Sequence, residues 1–238
     1  MNPITFNSNG YTLAGNLFPA VKPQKLAFLL IQGWTGHQNL AAAQALVDLG
    51  FTSMTYDMRG NGESKGNIAE FSRADFISDA VVAYDFLKQQ VSPTMTIGVV
   101  GSSFGSYTAV LLSEQRPLEC LSLRVPASYP DDGFNDPQLP QSETDELTAW
   151  RNKPLDYSRN HAFKALHSFT GKVQIVEADR DELVPHQAVQ NYADSVADKS
   201  NLEHVLLPDA PHRLENDRLK AEYVRLLTDW AKQFRSNP

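Results

Sequence analysis

The sequence predicts an α/β domain built on a mostly parallel sheet, and three observations carry that prediction. Short apolar runs at 26–31, 52–56, 95–100, 120–125, 173–176 and 205–207 alternate with longer stretches of helical spacing, the rhythm of strands joined by crossover helices. The runs are apolar throughout rather than alternating, as expected of strands covered on both faces. At 238 residues, 42% hydrophobic and 21% charged, the chain has enough apolar material for one large core, so a single domain over 1–238 is expected.

Taken in order, residues 4–7 and 11–18 read as a hairpin closed at Asn9-Gly10, a pair suited to positive φ. The clearest helices lie at 75–88, where Phe76, Ala80, Tyr84 and Leu87 share a face, and at 214–234, where Leu219, Tyr223, Leu227, Trp230 and Phe234 do. A further helical stretch, with Ala109 to Leu112, follows the third parallel run. Residues 128–170 break the rhythm, with Pro130, Pro137, Pro140 and Pro154, an acidic excess, six aromatic residues and no strand-like run. Loops of this length are commonly functional, so the segment reads as a small cap insertion, with a short helix near 143–151.

The formal net charge of −7 argues against nucleic-acid or anionic-membrane partners, which require clustered Lys and Arg. No apolar run reaches the length of a membrane span and the first residues lack a signal-peptide pattern, so a cytoplasmic location is expected. Cys120 is the single cysteine and falls in an apolar run, where a small core residue is the expected role. Paired-Cys, His-Glu-x-x-His and calcium-loop patterns are missing from the sequence, and the glycines around Asn61 lack phosphate-loop spacing. No metal or organic cofactor is expected.

The chemistry concentrates at Gly101-Ser102-Ser103-Phe104-Gly105, between a strand-like run and a helical stretch. A serine at such a corner projects its hydroxyl from the C-terminal edge of the sheet, beside the positive end of the next helix. Because a serine hydroxyl is too weakly acidic to attack an acyl group unaided, it requires a base held by a carboxylate. Of six histidines, His212 is best placed, in the loop between the last strand-like run and the C-terminal helix. The loop after the 173–176 run offers Asp179 and Asp181, with Glu182 a further candidate. Donors for a developing oxyanion are expected at the backbone N–H of Phe104 and, in the loop Gln32-Gly33-Trp34 after the first parallel strand, at that of Trp34.

Gln32-Gly33-Trp34, Asp57-Met58-Arg59-Gly60-Asn61-Gly62-Glu63-Ser64, the serine corner, Asp181-Glu182-Leu183-Val184-Pro185 and Pro211-His212 occur in the order found in the α/β-hydrolase superfamily. The chain resembles its bacterial esterase and serine-aminopeptidase-like branch with a short cap. The resemblance implies the acid at Asp181, a triad of Ser103, His212 and Asp181, no cofactor, and a small-molecule ester as substrate. Peptidase, thioesterase or acyltransferase activity on the same triad is the alternative, as is a binding module that has lost turnover. Two positions depart from the pattern: Gln32 where many relatives carry His, and Ala178 where a glycine often precedes the acid.

Overall fold

The computed structural model describes residues 1–137 and 144–235. Strands β1 (Asn2–Ser8) and β2 (Tyr11–Phe18) meet at Asn9 and Gly10, whose φ values of 50° and 88° give the turn its left-handed pair. Then come β3 (Leu26–Ile31), α1 (Leu40–Asp48), β4 (Ser53–Tyr56), α2 (Arg73–Gln90), β5 (Thr96–Ser102) and α3 (Phe104–Gln115). The chain continues through β6 (Cys120–Arg124), α4 (Asp145–Arg151), α5 (His161–Ser168), β7 (Lys172–Ala178), α6 (His186–Ser195), β8 (Leu202–Leu207) and α7 (Asp217–Ala231).

The eight strands form one sheet in the order β1-β2-β4-β3-β5-β6-β7-β8, antiparallel across the first two junctions and parallel from there on. All six residues of β3 are buried, because the two faces of the sheet are both covered. Ala27, Leu29 and Ile31 share a core with α2, α3, α5 and α6, whereas Phe28 and Leu30 share another with α1 and α7. From β3 the chain steps outward to β4 and then crosses back to β5. The crevice where the winding reverses therefore opens at the C-terminal ends of β3 and β5, the usual place for a site in such sheets.

Local chemistry explains where several helices begin. Ser72 and Asp75 form a reciprocal capping box, so α2 starts at Arg73, two residues before its apolar spacing becomes regular. Asn39 caps α1 by accepting from the Ala42 N–H at 3.0 Å. That helix was not legible as a stripe, because small alanines carry most of its buried face. The C-terminal helix is shorter than its pattern: Asn216 caps it, and residues 232–234 tighten into a 3-10 turn.

The segment 128–170 divides, with residues 138–143 outside the described part. Helix α4 is tied down by the buried Arg151, which donates to the carbonyls of Ser128 and Leu183, each at 3.0 Å. Helix α5 is a crossover helix, with Ala162, Phe163, Ala165 and Leu166 buried in the same core as α3 and α6. The second half of the segment is thus part of the main α/β layers. Among the described residues no helix is long and apolar enough to cross a membrane.

Candidate active site

Ser103 sits between β5 and α3 at φ 54° and ψ −118°, a conformation that a side chain at Cβ makes costly. Its neighbours show why the corner needs glycines. A Cβ at Gly101 would lie 2.5 Å from the Gly105 carbonyl oxygen and 2.6 Å from Ser106 Cα, and one at Gly105 would overlap the carbonyl oxygens of Ile31 and Gln32. A serine at a helix N-cap ordinarily spends its hydroxyl on the first turn; Ser103 makes no such bond. Its Oγ instead lies 3.0 Å from His212 Nε2.

His212 is buried in the loop after β8, and its Nδ1 stands 2.8 and 3.0 Å from the two carboxylate oxygens of Asp181. Asp181 Oδ1 also accepts from the backbone N–H groups of Leu183 and Val184, at 2.9 and 2.7 Å, so the carboxylate is fixed before it meets the imidazole. The other acidic candidates have separate tasks. Asp179 accepts from the Asp209 N–H, and Glu182 accepts from the His212 N–H at 3.1 Å; together they hold the loop of His212 against the loop of Asp181.

The loop after β3 touches Ser103. A Cβ on Gly33 would come within 3.3 Å of Ser103 Cβ and of the Ser102 carbonyl oxygen. Trp34 follows directly, and its ring packs edge-on against Phe76 and Phe104, centroids 5.2 and 5.3 Å away. Asn61, from the Asp57 to Ser64 run, donates to the Gly36 carbonyl at 2.7 Å and braces the loop from outside. Phe104 is the first residue of α3, so its N–H has no acceptor within the helix and lies beside Ser103.

Three of the sequence candidates, Ser103, Asp181 and His212, therefore come within hydrogen-bond reach of one another, and the other two, Trp34 and Phe104, belong to the segments that border the serine. All but Asp181 line a cavity of about 940 Å³, together with Gln32, Tyr129, Leu214 and Val224 among others. Arg124 also lines it and was not singled out in the sequence. Its Nε and Nη2 donate to Ser102 Oγ at 3.0 and 2.6 Å, and its Nη1 donates to the His212 carbonyl at 2.9 Å. Burial lowers its pKa, against the fields of Tyr223 and Asp181. A lone cation inside the apolar 120–125 run was the available signal. No cluster of metal-ligating residues occurs among the described residues.

Fold and crevice define the class as an α/β hydrolase. A family model described as serine aminopeptidase, S33, matches residues 22–142, half of the chain, and the chain belongs to that family of serine hydrolases. Solved structures agree on the fold. Est1E from Butyrivibrio proteoclasticus, solved with ferulic acid bound, has a TM-score of 0.70 at 18% identity over 97% of each chain. Mouse alpha/beta hydrolase domain-containing protein 10 gives 0.71 at 19% identity over 98% of this chain and 99% of that one. An α/β serine hydrolase without lid from Xanthomonas campestris gives 0.69 at 19% identity over 100% and 97%. No curated protein sequence matches the chain.

Proposed function

We propose that this protein is a carboxylesterase that hydrolyses short to medium esters through an acyl-Ser103 intermediate. The observation that carries the reading is the continuous hydrogen-bonded chain Ser103 Oγ to His212 Nε2 and His212 Nδ1 to Asp181. His212 takes the serine proton as Oγ attacks the ester carbonyl, and then passes it to the leaving alcohol. Water repeats the sequence to release the acid and regenerate Ser103. Asp181 holds the proton-bearing Nδ1 in place and favours the imidazolium that forms. The N–H groups of Phe104 and Trp34 receive the oxyanion.

The family's name raises aminopeptidase activity as the second reading. A peptide's free ammonium requires a carboxylate in the pocket, and the charged residues that line it are Arg124, Arg213 and Lys220 against Glu215. Asp145 and Glu146 begin α4 and do not line the cavity, while Glu143 lies outside the described residues. That balance favours esters over aminoacyl substrates. A panel of 4-nitrophenyl esters and aminoacyl 4-nitroanilides decides between them, with Ser103→Ala as control. We expect ester turnover to fall by about 10⁴-fold or more in the variant, with a fluorophosphonate label on Ser103 in the wild type alone. Wild-type turnover in Ser103→Ala overturns the assignment.

A further inference from the structure

Three polar side chains stand level across the C-terminal edge of the sheet. Ile31 pairs with Gly101 on β5, and Ser102 pairs with Arg124 on β6, so Gln32, Ser102 and Arg124 follow one another across three adjacent strands. Neighbouring strands lie about 4.8 Å apart and side chains at one level share a face, which puts Gln32 and Arg124 about 10 Å apart on either side of Ser102. Leu30 and Val100, two residues earlier, belong to the core shared with α1 and α7, and all five residues line the cavity at Ser103.

This row is polar, and part of its hydrogen-bonding capacity is not taken up within the chain. Gln32 is 6% exposed, yet neither its Nε2 nor its Oε1 has a hydrogen-bond partner among the described residues. Buried amides are almost always paired, so an unpaired one lining a cavity points to a ligand. Arg124 spends three of its five N–H groups on Ser102 and His212, leaving one on each Nη. Among the described residues it forms no ion pair with a carboxylate; the Tyr223 ring lies 5.7 Å from its Cζ. In a chain of net charge −7, the cavity's charged lining is three cations against Glu215.

We propose that Gln32 and Arg124 form a carboxylate subsite beside Ser103, and that the preferred ester carries a free carboxylate on its acyl chain or its alcohol. One substrate oxygen accepts from Arg124 and the other from Gln32 Nε2, while Gln32 Oε1 is left to accept a substrate hydroxyl or amide. The ester end of this substrate class rests on the acyl-transfer reading above; the anion end does not.

The test compares matched pairs. On the acyl side, mono-4-nitrophenyl adipate is set against its methyl-capped counterpart; on the alcohol side, the butyrate ester of 4-hydroxybenzoate against that of methyl 4-hydroxybenzoate. We expect kcat/KM to be at least about tenfold higher for the anion in one pair, since a site built to hydrogen-bond a group rejects the analogue without it. The ratio should fall toward one in Gln32→Leu and in Arg124→Gln, whatever their activity on the neutral ester. Ratios at or below one in both pairs, or a ratio unchanged in both variants, overturn the subsite. Should neither ester be turned over, calorimetry on Ser103→Ala with adipate monoamide and its methyl-capped form decides. About tenfold tighter binding of the anion upholds the subsite while the esterase reading fails; equal or undetectable binding overturns the subsite.

Discussion

Two arginines of the molecule, Arg59 and Arg124, are treated in opposite ways. Arg59, under the antiparallel edge, is 2% exposed; its Nε and Nη2 donate to Asp79 at 2.7 and 2.5 Å and its Nη1 to Asp75 at 3.1 Å. The rings of Tyr11 and Phe71 lie about it at 5.2 and 5.0 Å. Arg124, beside the nucleophile, has hydroxyl and carbonyl partners and an aromatic ring, and among the described residues no paired carboxylate. A charge answered from within the chain fixes two elements to each other, here the 57–64 turn and α2. A charge left unanswered in a cavity is available to something that enters.

The largest test of that contrast is Asp79→Ala. It leaves the buried Arg59 charge with Asp75 alone, and since the loss of one buried partner typically costs about 3–5 kcal/mol, urea unfolding should show a drop toward that order. A drop below about 1 kcal/mol would mean that Asp79 is not what holds Arg59. Arg124→Gln should behave differently: because it breaks no ion pair, the loss of stability is expected at about 1–2 kcal/mol, from hydrogen bonds to Ser102 and the His212 carbonyl. A cost equal to that of Asp79→Ala would make Arg124 a structural charge like Arg59. The smallest expected effect belongs to Asn61→Ala, which removes the brace on the loop after β3. Stability should shift by about 1 kcal/mol or less, while kcat for a neutral ester falls about threefold to tenfold with KM nearly unchanged, since the loop's task is realised in the transition state. An unchanged kcat would release Asn61 from that role.

The same contrast explains what the sequence could and could not reveal. Ser103, with its flanking glycines, lies within five residues of chain, and the backbone constraints at φ 54° select those residues locally. His212 and the loop of Asp179 and Asp181 were legible from their place after successive strands, whereas the choice of Asp181 over Asp179 rested on the resemblance. In the structure the amides of Leu183 and Val184 grip Asp181, which meets the His212 imidazole, while Asp179 accepts from the Asp209 N–H. Arg124 and Gln32 are 92 residues apart and become neighbours through strand order, for which no local pattern exists. Helix α5 was absorbed into the 128–170 segment because a single turn-rich stretch precedes it, and its buried face of Ala162, Phe163, Ala165 and Leu166 is too short to stand out as a stripe.

Ser103 and His212 also differ in when they are made. Ser103 precedes His212 by 109 residues, so at synthesis rates of about 5–20 residues per second about 5–20 s separate their addition to the chain. The two side chains meet only once β8 stands beside β7, so the cluster at the sheet's C-terminal edge is completed by the last strand to be added.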